Sequence, residues 1–256
     1  MRIATWNVNG LRARLPLLLL WLEERRPDLV GLQELKLTED VLPRDELSSL
    51  GYRVVMHGQK AWNGVAILSR EPVRLTQQGL PGQEGFGSRL ISVEAGELQF
   101  VTVYCPNGKH VGHEDYPRKL AWFDALAEHV GARHRADRPT ILCGDFNICP
   151  APADSWNEEL LKGTIFHTEE ERGRFRRLID WGFRDLFRRE NPESREYTWW
   201  DYRGGSFHRN EGLRLDLLLA TESAAPAGVA VTIDREYRKK KGELTASDHA
   251  PVFVDL

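Results

Sequence analysis

Cysteine is scarce. The three residues Cys105, Cys143 and Cys149 are an odd number with no CxxC spacing, which excludes a disulfide scaffold and a thiolate zinc site. They are expected to be reduced thiols filling small apolar spaces in a cytosolic protein. Long apolar runs are also missing. Residues 15–22 are too few to span a bilayer. Polar Trp6-Asn7-Val8-Asn9-Gly10 precedes them, Glu23-Glu24-Arg25-Arg26 follows, and no small-residue cleavage site appears, so they do not read as a signal peptide. A buried amphipathic helix is expected there, in a cytoplasmic protein without a membrane partner. There is no P-loop, GxGxxG or GxSxG pattern, which leaves nucleotide-cradle and serine-hydrolase readings without support. There is no repeat at a period of roughly 20–50 residues and no low-complexity tract. No block of one charge dominates. The net charge of −3 does not announce a nucleic-acid binder, nor does it exclude one, because a basic face can coexist with a carboxylate cluster.

What remains is a chain of 256 residues, 41% apolar, enough to fill the core of one large domain spanning residues 1–256. Strand-like and helix-like pieces alternate along it. Strands are predicted at residues 2–8, 28–34, 52–57, 64–69, 89–95, 98–105, 140–145, 214–220, 229–234 and 251–254, with helices at 11–26, 119–134 and 169–181. Hairpin-like pairs in the middle of the chain do not suit a purely parallel sheet. Two packed sheets covered by helices fit better.

The polar residues sit where strands end. Asn7 follows one, Glu34, Tyr104 and Asp145 close others, Asn147 lies two residues on, and Asp248-His249 precedes the last. Strand ends let a rigid scaffold aim side chains into one pocket. Singly, each has an ordinary reading as a turn or cap residue. Asp216 is harder to dismiss, because a carboxylate inside the apolar run 215–219 needs a partner. Arg214, on the same face of an ideal strand, is a candidate. Together, hard oxygen ligands without thiolates suit Mg²⁺, with Mn²⁺ able to substitute. One histidine among carboxylates suits phosphate-ester hydrolysis.

Six blocks carry a more specific signal: TWNVNGLRAR (5–14), LQELK (32–36), YCPNG (104–108), GDFN (144–147), GLRLDLLLAT (212–221) and SDHAPV (247–252). In this order they resemble the exonuclease III family of abasic-site endonucleases, within the endonuclease/exonuclease/phosphatase superfamily. YTWWDYR (197–203) and the lysine after LQEL point to the DNA-repair branch. The resemblance implies an α/β fold, a four-layer αββα sandwich of two mixed β-sheets flanked by helices. It implies a monomer acting on double-stranded DNA, at abasic sites and 3′ ends.

The resemblance also implies roles. Glu34 would be the principal Mg²⁺ ligand, Asn7 would organise the site beside it, and Asp248 would be a further acid near the metal. Asp145 would orient or activate the attacking water. Asn147 and Tyr104 would hold phosphate oxygens with Asn107 close by, and His249 would contact the scissile phosphate, oriented by Asp216. Trp199, Leu213 and Leu215 occupy the positions of a pocket for a base-free sugar. Leu213 stands where many relatives have tryptophan, a departure that bears on how tight that pocket is. Candidates for contacts to the DNA backbone are Arg12, Lys36, Lys60, Lys109, Arg203 and the run 238–241. Two rivals stay open at this level: a superfamily phosphoesterase for a lipid or small phosphate, and a DNA-binding relative without catalysis.

Overall fold

The computed structural model describes all of residues 1–256. Twelve strands form two six-stranded sheets. The first holds β1 (Arg2–Asn7), β2 (Leu29–Gln33), β3 (Arg53–His57), β4 (Val65–Ser69), and the two late strands Val231–Ile233 and Val252–Asp255, which become β11 and β12. The second holds β5 (Arg74–Gln78), β6 (Leu90–Ala95), β7 (Leu98–Tyr104), β8 (Thr140–Asp145), β9 (Phe183–Asp185) and β10 (Asp216–Thr221). Their orders are β11-β12-β1-β2-β4-β3 and β5-β6-β7-β8-β10-β9. Each sheet has one parallel pair at its centre, β1 with β2 and β7 with β8, and antiparallel pairs elsewhere.

The period-two alternation of apolar strands builds the layers. Inward residues Ile3, Ile67, Ile91, Phe100, Ile141 and Leu218 meet between the sheets. Outward residues of the first sheet, among them Trp6, Val30 and Leu32, pack against Leu18, Trp21 and Leu22 of α1 (Leu11–Arg25). Those of the second sheet, Leu142, Leu217 and Leu219, pack against α3 (Asp115–Arg133), which follows the short α2 (Arg44–Ser49), and against a helix at Glu169–Trp181. The result is the expected αββα sandwich. No helix is long and apolar enough to cross a membrane.

The expected elements are present with ends shifted by a few residues. The helix expected from residue 119 begins at Asp115, with Pro117 tolerated in its first turn, where no amide donor is needed. Strands β5 and β9 were not expected. The first is a largely polar edge strand with a register irregularity between Leu75 and Gln77, and the second has three residues, too few to show a period. Gly144 illustrates how tightly the central strands pack. Its φ is 139°, and a Cβ there would lie 1.9 Å from the Val103 carbonyl oxygen, so only glycine fits beside Asp145.

Candidate active site

Because β1 runs parallel to β2 and β7 parallel to β8, the C-terminal ends of all four gather at one edge of the sandwich. Asn7 ends β1, Glu34 follows β2, Tyr104 ends β7 and Asp145 ends β8. Antiparallel β10 begins at that edge, placing Asp216 opposite Asp145 across the ladder. The loop entering β12 supplies Asp248 and His249. A small pocket of about 170 Å³ opens there, lined by Glu34, Tyr104, Asn107, Asp145, Asn147, Asp248 and His249, with Phe166, Trp199 and Leu215 as apolar walls.

Asn7 is the hinge of the acidic side. Its Nδ2 donates to Glu34 Oε1 and Asp145 Oδ2, both at 2.9 Å, while its Oδ1 accepts from the Asn9 amide. Glu34 turns out of its strand at φ 54°, and its Oε2 meets Lys36 Nζ at 2.9 Å. Burial would raise the Glu34 carboxyl, but the Lys36 charge and the Lys36 and Asn7 hydrogen bonds outweigh it and hold Glu34 below its ordinary value. Asp145 is almost fully buried. Burial, with the Asp216 and Glu34 charges, pushes it up to about 7 against the pull of His249.

His249 Nδ1 lies 2.7 Å from Asp216 Oδ2, and its Nε2 is 3.8 Å from Asp145 Oδ2. Burial alone would lower its pKa, yet Asp216, helped by Asp145 and Asp248, raises it to about 10. The ring is therefore an imidazolium at neutral pH, with its Nε2 proton turned into the pocket. The ligand-type atoms of Glu34, Asp145 and His249 lie within 4.8 Å of one another, and the two carboxylates among them are the hard oxygen donors. Asp216 is partnered by His249 and not by Arg214. Residue 214 precedes the first residue of β10, and its guanidinium turns away to Asp154 and Asp185.

The phosphate-side groups are also held. The Asn147 amide donates to Asp145 Oδ1 at 2.9 Å, its side chain to the Cys105 carbonyl at 2.9 Å, and Asn107 Nδ2 to Asn147 Oδ1 at 3.3 Å. Burial and the Glu34 charge raise Tyr104 well above its usual value, so it stays a phenol able to donate. Asp248 lines the pocket with its oxygens taken by Asn9 Nδ2 at 2.8 Å and Trp199 Nε1 at 3.0 Å, which fixes the indole plane.

Some expected residues lie elsewhere. Leu213 is buried behind the wall, bridged to Trp199 and Ser155, and does not line the pocket. Arg203 is exposed, pairs with Asp201, and is not among the lining groups either. In the run 238–241, Arg238 is buried, donating to the Asp248 and Trp200 carbonyls, while Lys239 pairs with Glu236.

Sequence reasoning missed two residues. Phe166, in a left-handed turn at φ 74°, forms the third apolar wall. Lys119, expected at the start of a helix, has no exposure. It donates to the carbonyls of Asn147 at 2.7 Å and Asn107 at 3.2 Å, and to Glu171. Only the exclusion of solvent by neighbouring loops reveals either.

Charge counting tests whether a divalent cation fits. With every carboxylate ionised, Glu34, Asp145, Asp216 and Asp248 bring four negative charges and Lys36 and His249 two positive, leaving an excess of two in a mostly buried site. Uncompensated buried charge is costly, and the raised Asp145 shows it locally. Carboxylate oxygens without thiolates are the donors that Mg²⁺ or Mn²⁺ prefers; the three cysteines have no disulfide partner and are buried.

Comparison with known proteins gives a consistent picture. The model of the endonuclease/exonuclease/phosphatase family matches residues 4–249. The chain is 33% identical to exodeoxyribonuclease III of Haemophilus influenzae, over all of both chains. It is 31% identical to an exodeoxyribonuclease of Bacillus subtilis over 98% of each. Among solved structures, an AP endonuclease from Archaeoglobus fulgidus superposes with a TM-score of 0.95 at 32% identity, covering 100% of this chain and 98% of that one. The 3′ phosphatase NExo from Neisseria, bound to a product DNA hairpin, does so at 0.93 and 39%, with the same coverage.

Proposed function

The chain belongs to the endonuclease/exonuclease/phosphatase family, and from that premise we propose that it is a Mg²⁺-dependent DNA phosphodiesterase of base-excision repair. It cuts 5′ to an abasic site, leaving a 3′-hydroxyl, and acts as a 3′→5′ exonuclease and 3′-phosphatase in the same pocket. Double-stranded DNA is the substrate, the protein works as a cytoplasmic monomer, and Mn²⁺ can replace Mg²⁺. The named relatives are nucleases, so a lipid or small-phosphate substrate is not favoured.

The observation that carries this reading is the side-by-side placement of a histidine and a carboxylate in the pocket, His249 Nε2 3.8 Å from Asp145 Oδ2. The imidazolium offers a proton and positive charge to a phosphate oxygen, and the carboxylate beside it offers a base to water. Glu34, aligned by Asn7, would hold Mg²⁺, which when bound neutralises phosphate oxygens and keeps the neighbouring Asp145 ionised. Asp145 orients the attacking water and accepts its proton. His249, kept charged by Asp216, stabilises the charge that builds on the phosphate, together with donors from Asn147, Asn107 and Tyr104. Trp199, Leu215 and Phe166 form a wall against which a base-free sugar fits and an ordinary nucleotide does not.

The test is cleavage of a fluorescent duplex bearing one tetrahydrofuran abasic analogue, in Mg²⁺ and in EDTA, by wild type and Asp145→Asn. Incision 5′ to the analogue that needs Mg²⁺ and falls by about 10²–10⁴-fold in the variant is expected. Absence of cleavage by folded wild type in Mg²⁺ overturns the reading.

A further inference from the structure

The His249–Asp216 pair relies on a carboxylate with a single hydrogen bond. Asp216 Oδ2 meets His249 Nδ1, but Asp216 Oδ1 is buried with no hydrogen-bond partner. Beyond His249 itself, the carboxylate is aimed by its backbone. That backbone opens β10, where β8 lies alongside and β9 does not reach, since β9 pairs only with residues 219–221. The two partners also come from segments 33 residues apart in the chain, so one segment has to be set against the other.

Thr198 joins them. It has no exposure. Its Oγ1 accepts from the amides of Leu215 and Asp216, both at 3.0 Å. Two successive amides converging on one point form a small cradle of positive dipoles, here filled by a hydroxyl oxygen of the same chain. Through its main chain Thr198 donates to the Leu213 carbonyl at 3.0 Å and accepts from the Ala250 amide at 2.7 Å. Trp199 is bridged to both Leu213 and His249, and Trp200 donates to the Asp248 carbonyl at 3.1 Å. Residues 198–200 therefore tie the segment that carries Asp216 to the segment that carries His249. On the histidine side, Ser247 and Trp6 add further bonds to the His249 amide and carbonyl. On the aspartate side, no side chain other than Thr198 accepts from the two amides.

Resting on the function proposed above, we propose that Thr198 is a positioning residue for the reaction, its hydroxyl setting the start of β10 so that Asp216 meets His249. It does not line the pocket and acts through Asp216. The oxygen does this, not the volume of the side chain. Valine would fill the same space and leave two buried N–H groups without an acceptor, and the backbone carrying Asp216 would move to find one.

The experiment compares wild type, Thr198→Val and Thr198→Ser. Valine keeps the shape and loses the oxygen, while serine keeps the oxygen and loses the methyl. A residue that only fills space favours valine, and a positioning hydroxyl favours serine. Steady-state cleavage of the tetrahydrofuran duplex, well below the melting transition, is combined with the ring N–H proton resonance of His249 in ¹⁵N-histidine-labelled protein, in EDTA without DNA. That resonance is identified by its loss in Asp216→Asn. For Thr198→Val, kcat falls by about 10–10²-fold, the range for a displaced catalytic group, while KM stays within about twofold. The His249 resonance moves upfield or is lost to exchange with water. Thr198→Ser restores most of both. Should Thr198→Val not fold, Thr198→Ala takes its place, and if neither folds the residue is structural and the proposal is overturned. A folded oxygen-free variant with wild-type kcat and resonance, or a serine variant as slow as the valine one, overturns it too and leaves the proposed function standing. If wild type does not cut DNA while the resonances follow the expected pattern, the proposed function falls and Thr198 still positions Asp216.

Discussion

Replacing Lys119 with methionine removes a charge from the interior while nearly preserving length. All three donors of the ammonium are used, on Glu171, the Asn147 carbonyl and the Asn107 carbonyl. Methionine leaves three acceptors short of a partner. Breaking a buried ion pair from one side costs about 3–5 kcal/mol. Glu171 keeps the Thr168 amide and hydroxyl at 3.1 and 2.9 Å and the Phe166 amide at 3.2 Å, so the lower end, about 3 kcal/mol, applies. At roughly 2–4 °C per kcal/mol for a chain near this size, the melting temperature falls by roughly 6–12 °C. The chemistry suffers as well, because Lys119 ties the two loops that carry Asn107 and Asn147. Single-turnover cleavage at saturating DNA, well below the melting transition, is expected to slow by about tenfold or more, as for loss of a phosphate-side donor's alignment. Circular dichroism melts and single-turnover rates read the two effects separately. A melting shift of less than about 2 °C would mean that the pair contributes almost nothing net to stability. An unchanged single-turnover rate would refute the claim that Lys119 positions the asparagines.

The other predictions concern the histidine and the strand behind the pocket. Since Asp216 and its neighbours raise His249 from 6.5 to about 10, the stabilisation from that pair is fully present below pH 6.5 and is lost as pH rises through about 10. In Asp216→Asn, the alkaline limb of the cleavage profile is therefore expected at lower pH than in wild type, and the stability gap between the two closes as the wild-type histidine deprotonates. Superimposable alkaline limbs in a pH–rate series would contradict this. Gly144→Ala places a Cβ against the Val103 carbonyl and should cost about 1–3 kcal/mol in urea unfolding. Its cleavage rate should drop as well, because the neighbouring Asp145 moves. Wild-type rate together with wild-type stability would show that β7 and β8 separate freely at that point.

The chain of strand-ending polar residues could be read from the sequence because each lies in a continuous local pattern. An apolar run of period two, or a fully buried one, ends at Asn7, Tyr104 or Asp145, and Glu34 closes the expected strand 28–34. Backbone geometry alone turns such an end into a strand edge. The patterning favoured two packed sheets covered by helices, and the resemblance carried by the six blocks implied the four-layer sandwich. Boundaries were less legible, since the polar edge strand β5 and the three-residue β9 carry too little apolar content to announce pairing.

That the candidate Arg214 does not partner Asp216 has a definite cause. The alternation rule places 214 and 216 on one face only if both lie in an extended ladder, but β10 starts at Asp216 and the backbone before it is drawn to the Asp154 carbonyl. The Asp216–His249 contact joins residues 33 apart, so spacing does not imply it. Phe166 lines the pocket and Leu213 lies behind its wall for a similar reason. Which apolar side chain faces a pocket depends on loop closure, here Cys149 bonding to the Phe166 carbonyl, and no periodicity encodes it. Thus the sequence by itself determined most of the elements, two packed sheets with helices outside them, and the chemical kinds of group at the site. Only the tertiary structure decided which charges pair, which lysine is buried and which ring walls the pocket. Burial and pairing are set by residues that meet across loops, and the free energy of a charge depends on that meeting far more than on its own local sequence.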